Sequence, residues 1–291
     1  MIYYFLLIVS IVLAVCKSSL YNAYAKNGAD ASGGVFRFNA VSYGVAALIA
    51  LIGMLIGSLS VSGITVLCAF FYATIVISLQ TISITAMRVG AMSTTSICVM
   101  YGMIIPSVAG PIFWKEPIGA LQIVGICMMI LSLWLIKGKT PTEKREMTKK
   151  WAVLAILAFF LSGMAGLMEK IHQSTEGGEE RMPFVCIACA FMLSFSLAAG
   201  WITRKRGGNE AKSSATMLAV LSGLVIGMYS AINLTLAGKL DSMIYYPVAN
   251  GGAMLLTVFV SVLFFKERFD KMRMIGAAIG LAGILCLSLP V

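Results

Sequence analysis

Ten apolar runs divide the chain, at roughly residues 1–21, 37–57, 64–86, 92–113, 118–137, 151–170, 183–203, 215–237, 243–265 and 270–290. Each is close to the about 20 residues that an α-helix needs to cross the hydrocarbon core of a bilayer. Backbone polar groups in lipid must be satisfied inside the segment that carries them, and a helix does this. Composition points the same way: 59% of residues are hydrophobic and 12% charged, with mean hydropathy +0.93, against roughly 25% charged in soluble domains. The expectation is an all-α integral membrane protein with ten transmembrane helices.

The runs fall into two sets of five. Arg88, Lys115, Glu116 and Gly125 are answered by Lys239, Lys266, Glu267 and Gly276 at a constant spacing of 151, and Met92 is answered by Met243. A fixed spacing just over half the chain length marks a duplicated unit. Five crossings per unit make the second unit enter the membrane from the opposite side. This predicts two inverted five-helix repeats, an architecture of carriers. The expected boundaries are a first repeat over 1–137, a basic linker over 138–150 and a second repeat over 151–291. The first run has neither a basic leader nor a small-residue cleavage site, so it reads as a retained helix. Gly53 with Gly57, Gly223 with Gly227 and Gly276 with Gly280 set small residues one turn apart, which suits close helix packing in lipid.

Charge predicts orientation. The loops after the odd-numbered runs hold 18 of the 22 Lys and Arg residues; the other side has Lys115, Lys170, Arg181 and Lys239. The positive-inside rule then places the basic loops 138–150 and 204–212 in the cytoplasm and both termini outside. Glu169, Glu176, Glu179 and Glu180 make the loop after the sixth run net acidic, which fits. The net charge of +10 sits between apolar runs and not along a face interleaved with aromatics, so no nucleic-acid partner is expected. Cys186-Ile-Ala-Cys189 has CxxC spacing, but no second pair follows and His172 is the single histidine. No metal and no cofactor are expected.

Two short connections carry a family likeness. Trp114-Lys-Glu-Pro-Ile-Gly119 leads into the fifth run and Phe265-Lys-Glu-Arg-Phe-Asp270 into the tenth, each followed by a glycine-bearing apolar helix. In these the chain resembles the drug/metabolite transporter superfamily, specifically its EamA-type ten-helix members, over essentially its whole length. The resemblance implies a secondary transporter in the cell membrane that exports amino acids, drugs or other small metabolites by alternating access around a central cavity. A flippase for a lipid-linked or amphiphilic molecule is the alternative it leaves open. Similar bacterial members are described with cytoplasmic termini, opposite to the charge count. An enzyme is disfavoured by the lone histidine and the lack of an H-E-x-x-H motif, and a channel by the lack of a filter sequence. The expected partners are a small-molecule solute and the bilayer, and two complete repeats make a monomer sufficient.

No Asp, Glu, Lys or Arg falls in the middle third of any run, as the cost of a central charge requires, so the cavity is expected to be neutral and polar. In the ninth run Tyr246, Asn250, Ala253 and Thr257 recur at helical spacing on one face. The 151-residue spacing maps them onto Thr95, Val99, Gly102 and Pro106. Tyr101 offers a ring for an ammonium group, and Gln80 and Asn233 add amides from the third and eighth runs. The candidate substrate-binding residues are therefore Tyr246, Asn250, Thr257, Thr95, Tyr101, Gln80 and Asn233. Glu169, with His172 about one turn on, is the candidate for ion coupling. Lys17 is expected to snorkel to headgroups. A neutral, zwitterionic or weakly cationic metabolite suits such a site, with amino acids or their relatives first.

Overall fold

The computed structural model describes residues 2–27, 34–57, 59–90, 92–114, 119–136, 148–175, 180–204, 213–237, 248–254, 256–257, 260 and 271–288. Helices account for nearly all of them. In chain order these are α1 (Ile2–Asn27), α2 (Gly34–Ile56), α3 (Gly63–Val89), α4 (Met92–Met100), a 3-10 turn (Tyr101–Met103), α5 (Ile104–Trp114), α6 (Ala120–Ile136), α7 (Lys149–Ser174), α8 (Arg181–Arg204) and α9 (Ser213–Ala237). Helical residues 248–254, called α10 here, follow, and then α11 (Lys271–Ser288). Lys115, Glu116, Lys266, Glu267, Tyr245, Tyr246, Pro247 and most of the two basic loops lie outside the described residues.

Among the described residues seven helical stretches are long and apolar enough to cross a membrane, and two shorter apolar stretches, Ile123–Ser132 and Met274–Cys286, fall in α6 and α11. The chain is a multi-pass membrane protein. Its outer surface carries large apolar side chains such as Phe5, Leu51, Phe160 and Trp201, while Asn22, Asn39, Gln80, Thr95 and His172 are buried. This distribution inverts that of a soluble domain, because lipid replaces water on the outside and polar groups find partners only within the bundle.

Side chains on the chain set where helices begin. Ser62 caps α3, its Oγ accepting from the Thr65 amide at 3.2 Å, and Thr148 caps α7 by accepting from the Trp151 amide at 3.3 Å. The fourth apolar run is not one continuous α-helix: it tightens into the 3-10 turn at Tyr101–Met103. Pro106 supplies the reason. It has no N–H to give the carbonyl of Gly102, four residues earlier, and its ring crowds that carbonyl.

Small residues let the helices approach. A Cβ on Gly223 would lie 2.5 Å from the Ser42 carbonyl oxygen, and one on Gly227 would lie 2.7 Å from Ile49 Cδ1, so the Gly223-xxx-Gly227 step seats α9 on α2. Gly280 of α11 faces the Tyr101 hydroxyl and Ser132 of α6 in the same way. With no hydrophobic drive between helices in lipid, such close approach supplies the van der Waals contact that holds them. The main pairings are α2 with α8 and α9, α3 with α7 and α8, α1 with α9, α6 with α11, and α7 with the broken α4–turn–α5 segment.

Candidate functional site

A cavity of about 290 Å³ lies among these helices, lined by residues from α1, α2, α3, α7, α8, α9, α10 and the broken fourth run. Its wall is polar at several heights. On α3, Gln80 is centred in a chain of hydrogen bonds: Tyr43 Oη donates to Gln80 Oε1, Gln80 Nε2 donates to Asn39 Oδ1 at 2.8 Å, and Asn39 Nδ2 donates to Thr81 Oγ1 at 3.2 Å. On α9, Asn233 Oδ1 accepts from Ser10 Oγ of α1 at 3.3 Å. Asn250 and Ala253 of α10 line the same space.

Two charged groups line it as well, and this corrects the expectation of a neutral cavity. Glu169 of α7 accepts from Tyr72 Oη at 2.8 Å. Lys17 of α1 holds its ammonium 4.5 Å from the centre of the Tyr229 ring on α9. Lys17 therefore faces the cavity and does not snorkel outward. Both expectations failed for one reason. α1 runs on to Asn27 and α7 to Ser174, past the predicted ends of their runs, so each charge lies deeper in its helix than the apolar pattern suggests.

Of the other sequence candidates, Gln80, Asn233 and Asn250 are brought together at the cavity. Thr95, Tyr101 and Thr257 are fully buried elsewhere. Thr95 Oγ1 accepts from the Trp151 indole at 3.1 Å, and the Tyr101 hydroxyl meets Ser132 Oγ at 2.6 Å, which in turn donates to the Gly276 carbonyl. These groups tie helices together. Tyr246 is outside the described residues. His172 parts from Glu169: its Nε2 is 3.0 Å from Thr65 Oγ1 and its ring stacks on Phe184 at 4.2 Å. The expected Glu169–His172 pair is thus divided between two sets of partners.

The Thr65–His172 contact belongs to a cluster that ties the start of α3 to the start of α8. Glu180, just before α8, accepts from Ser60 Oγ at 2.8 Å and from the Ser62 amide at 2.7 Å. Hydrogen bonds from the Thr65 hydroxyl, the Ser62 amide and the Ser60 and Ser62 hydroxyls pull its carboxyl down to about 2. Phe184, on which His172 stacks, lines the cavity, so the cluster borders the site.

The residues that sequence reasoning missed had a signal. Ser10, Ala14, Lys17 and Tyr21 stand at i, i+4, i+7 and i+11 on α1, the same spacing as the stripe from Tyr246 to Thr257, and all four line the cavity. No group of three or more His, Cys, Asp or Glu side chains able to hold a metal occurs among the described residues.

Residues 149–289 match the EamA-like transporter family. Over this stretch the chain is similar to the EamA-like transporter family. An uncharacterized protein of Haemophilus influenzae is 22% identical over 186 residues, 64% of this chain and 62% of that protein. The EamA-like chain thus spans less than two thirds of that relative's length. A protein solved by crystallography superposes with TM-score 0.64 at 10% identity, covering 97% of this chain and 98% of its own. That likeness concerns the fold alone.

Proposed function

We propose that this EamA-like protein is an alternating-access secondary carrier, and not an enzyme, that exports small organic metabolites of amino-acid or drug-like size across the cell membrane. The observation that carries this reading is a cavity whose wall is contributed by both halves of the chain. Inverted-repeat carriers hold their solute at such a repeat interface.

Ten spans in two inverted repeats, 1–137 and 151–291 joined by a basic linker, are part of the proposal. Helix packing supports it through its symmetry. If the five runs of the first half are exchanged for the five of the second, the pairing of α1 with α9 becomes that of α7 with α3. Likewise α2 with α9 becomes α8 with α3, while the α2–α8 and α6–α11 pairs map onto themselves. The distribution of basic residues supports cytoplasmic loops at 138–150 and 204–212, with both termini outside.

The test is counterflow of labelled amino acids and cationic drugs in proteoliposomes, comparing wild type with Asn250→Ala. Saturable exchange that collapses in the variant is the expected result. If no solute moves in either protein while a labelled lipid crosses, the carrier reading gives way to a flippase.

A further inference from the structure

We propose that Lys17 and Glu169 are opposite poles of the cavity and that its solute is a zwitterion, with the solute's carboxylate on Lys17 and its ammonium on Glu169. This rests on the carrier reading and narrows it to one charge class.

The placement of the two groups carries the inference. A charge at depth in a membrane is costly, so a buried pair persists where something meets each charge. Among the described residues the protein meets each only in part. Glu169 has one oxygen engaged by Tyr72, whereas a carboxylate accepts about four hydrogen bonds. Lys17 has three N–H donors, yet its contact is the face of the Tyr229 ring, which offers no lone pair. Their charges act on one another, but each is held by a tyrosine from a different helix, Tyr72 of α3 and Tyr229 of α9, and both open on the same space.

A solute with one charge would satisfy one pole and face repulsion from the other. One with both charges meets an attraction at each end, so the site discriminates by rejecting singly charged analogues as well as by attracting the right one. The rest of the wall suits a small solute of variable side chain. Ser83 and Ser96 present hydroxyls that have no partner among the described residues. Met100, Met103 and Met192 supply adaptable thioethers. At about 290 Å³ the space lies at the small end of ligand sites, which run from roughly 300 to 1,000 Å³.

The test uses the full-length protein and three matched sets of probes. Leucine, methionine and phenylalanine are each taken as the free amino acid, as the methyl ester that keeps only the ammonium, and as the N-acetyl form that keeps only the carboxylate. Binding is measured by calorimetry in detergent and exchange by counterflow after reconstitution. Each free amino acid should bind about tenfold or more tightly than either derivative, the loss expected for one charge-assisted hydrogen bond. Lys17→Gln should remove the free amino acid's advantage over its ester, weakening the amino acid by loss of its carboxylate's partner and easing the repulsion that the ester's ammonium meets. Glu169→Gln should remove the advantage over the acetyl form, and Lys17→Arg should keep both preferences. Should a single variant fail to fold, the double exchange Lys17→Glu with Glu169→Lys restores both poles and should restore the preference.

Equal binding of all three forms by wild type, a preference for the ester, or a preference that survives Lys17→Gln overturns the zwitterion proposal. If no probe binds while cationic drugs still exchange, the zwitterion fails and the carrier stands. If no solute exchanges at all, the carrier reading itself fails and takes the proposal with it.

Discussion

Gly163 of α7 meets Gly102 of the 3-10 turn backbone to backbone: a Cβ on Gly163 would lie 2.7 Å from the Gly102 carbonyl oxygen, and one on Gly102 would lie 2.8 Å from the Gly163 amide nitrogen. Neither position has room for a side chain, and the clash is with backbone, which yields little. Gly163→Ala should therefore cost about 1–3 kcal/mol, as overpacking of a filled interior does. Thermal melting in detergent reads it. Gly44→Ala is the control, since its Cβ would meet only Leu193 at 3.8 Å, and its melting temperature should not fall, because alanine inside a helix is favoured over glycine.

Glu180 should make stability depend on acid. Its folded-state pKa of about 2 lies below the ordinary 4.5. A carboxyl held low in the folded state adds stability at every pH above its unfolded value, and that contribution is lost as pH falls through the window between the two. At pH 7 Glu180→Gln should melt below wild type, and the gap should close as pH is taken from about 4.5 to about 2. A gap that stays constant through that window would show that the loops around Ser60 and Ser62 are held by something other than this carboxylate.

The Tyr43–Gln80–Asn39 chain should behave as one unit. Tyr43→Phe removes the donor to Gln80 Oε1, leaving a buried acceptor short of a partner at a cost of about 1–3 kcal/mol. Once Gln80 is changed to Leu, Tyr43→Phe should cost less, because the acceptor is already gone. A double-mutant cycle on melting stability measures the difference, and strict additivity would count against the chain.

Cys189 reports on the cavity. It is 2% exposed and lines the space, whereas Cys127 lies on the exposed surface of α6. In a protein retaining only Cys189, a small water-soluble thiol reagent should label slowly, and a transported solute should slow it several-fold further. A protein retaining only Cys127 should show no protection. Mass spectrometry of the labelled protein distinguishes the two.

Much of this fold is legible in the sequence because the bilayer leaves a simple record. The run predicted at 37–57 is α2 (Gly34–Ile56), and that at 215–237 falls within α9 (Ser213–Ala237). Hydropathy sees length and apolarity, so it reads these well. It does not see a helix tighten, and the turn at Tyr101–Met103 was visible only through Pro106 and the carbonyl four residues before it. The site was harder for a related reason. A polar residue in an otherwise apolar run looks like the end of the run, so the pattern ends the first run near 21 and places Lys17 at the interface. Helix α1 continues through Ala25 and Lys26 to Asn27, carrying Lys17 inward. Gln80, Asn233 and Asn250 were recognisable because an amide in an apolar helix has few uses. Thr95 and Tyr101 share that trait but spend their hydrogen bonds on Trp151 and Ser132, and only tertiary packing distinguishes the two cases.

Each described helix of the first half takes its principal neighbour from the second: α1 from α9, α2 from α8, α3 and the broken fourth run from α7, and α6 from α11. The halves are interlaced, not set side by side. Cutting the chain between 137 and 148 would leave two pieces that each wear the other's interior as an outer coat, fully folded only as a pair. Joining them in one polypeptide guarantees equal supply of the two pieces and keeps each within reach of its mate, while the shape comes from their fit.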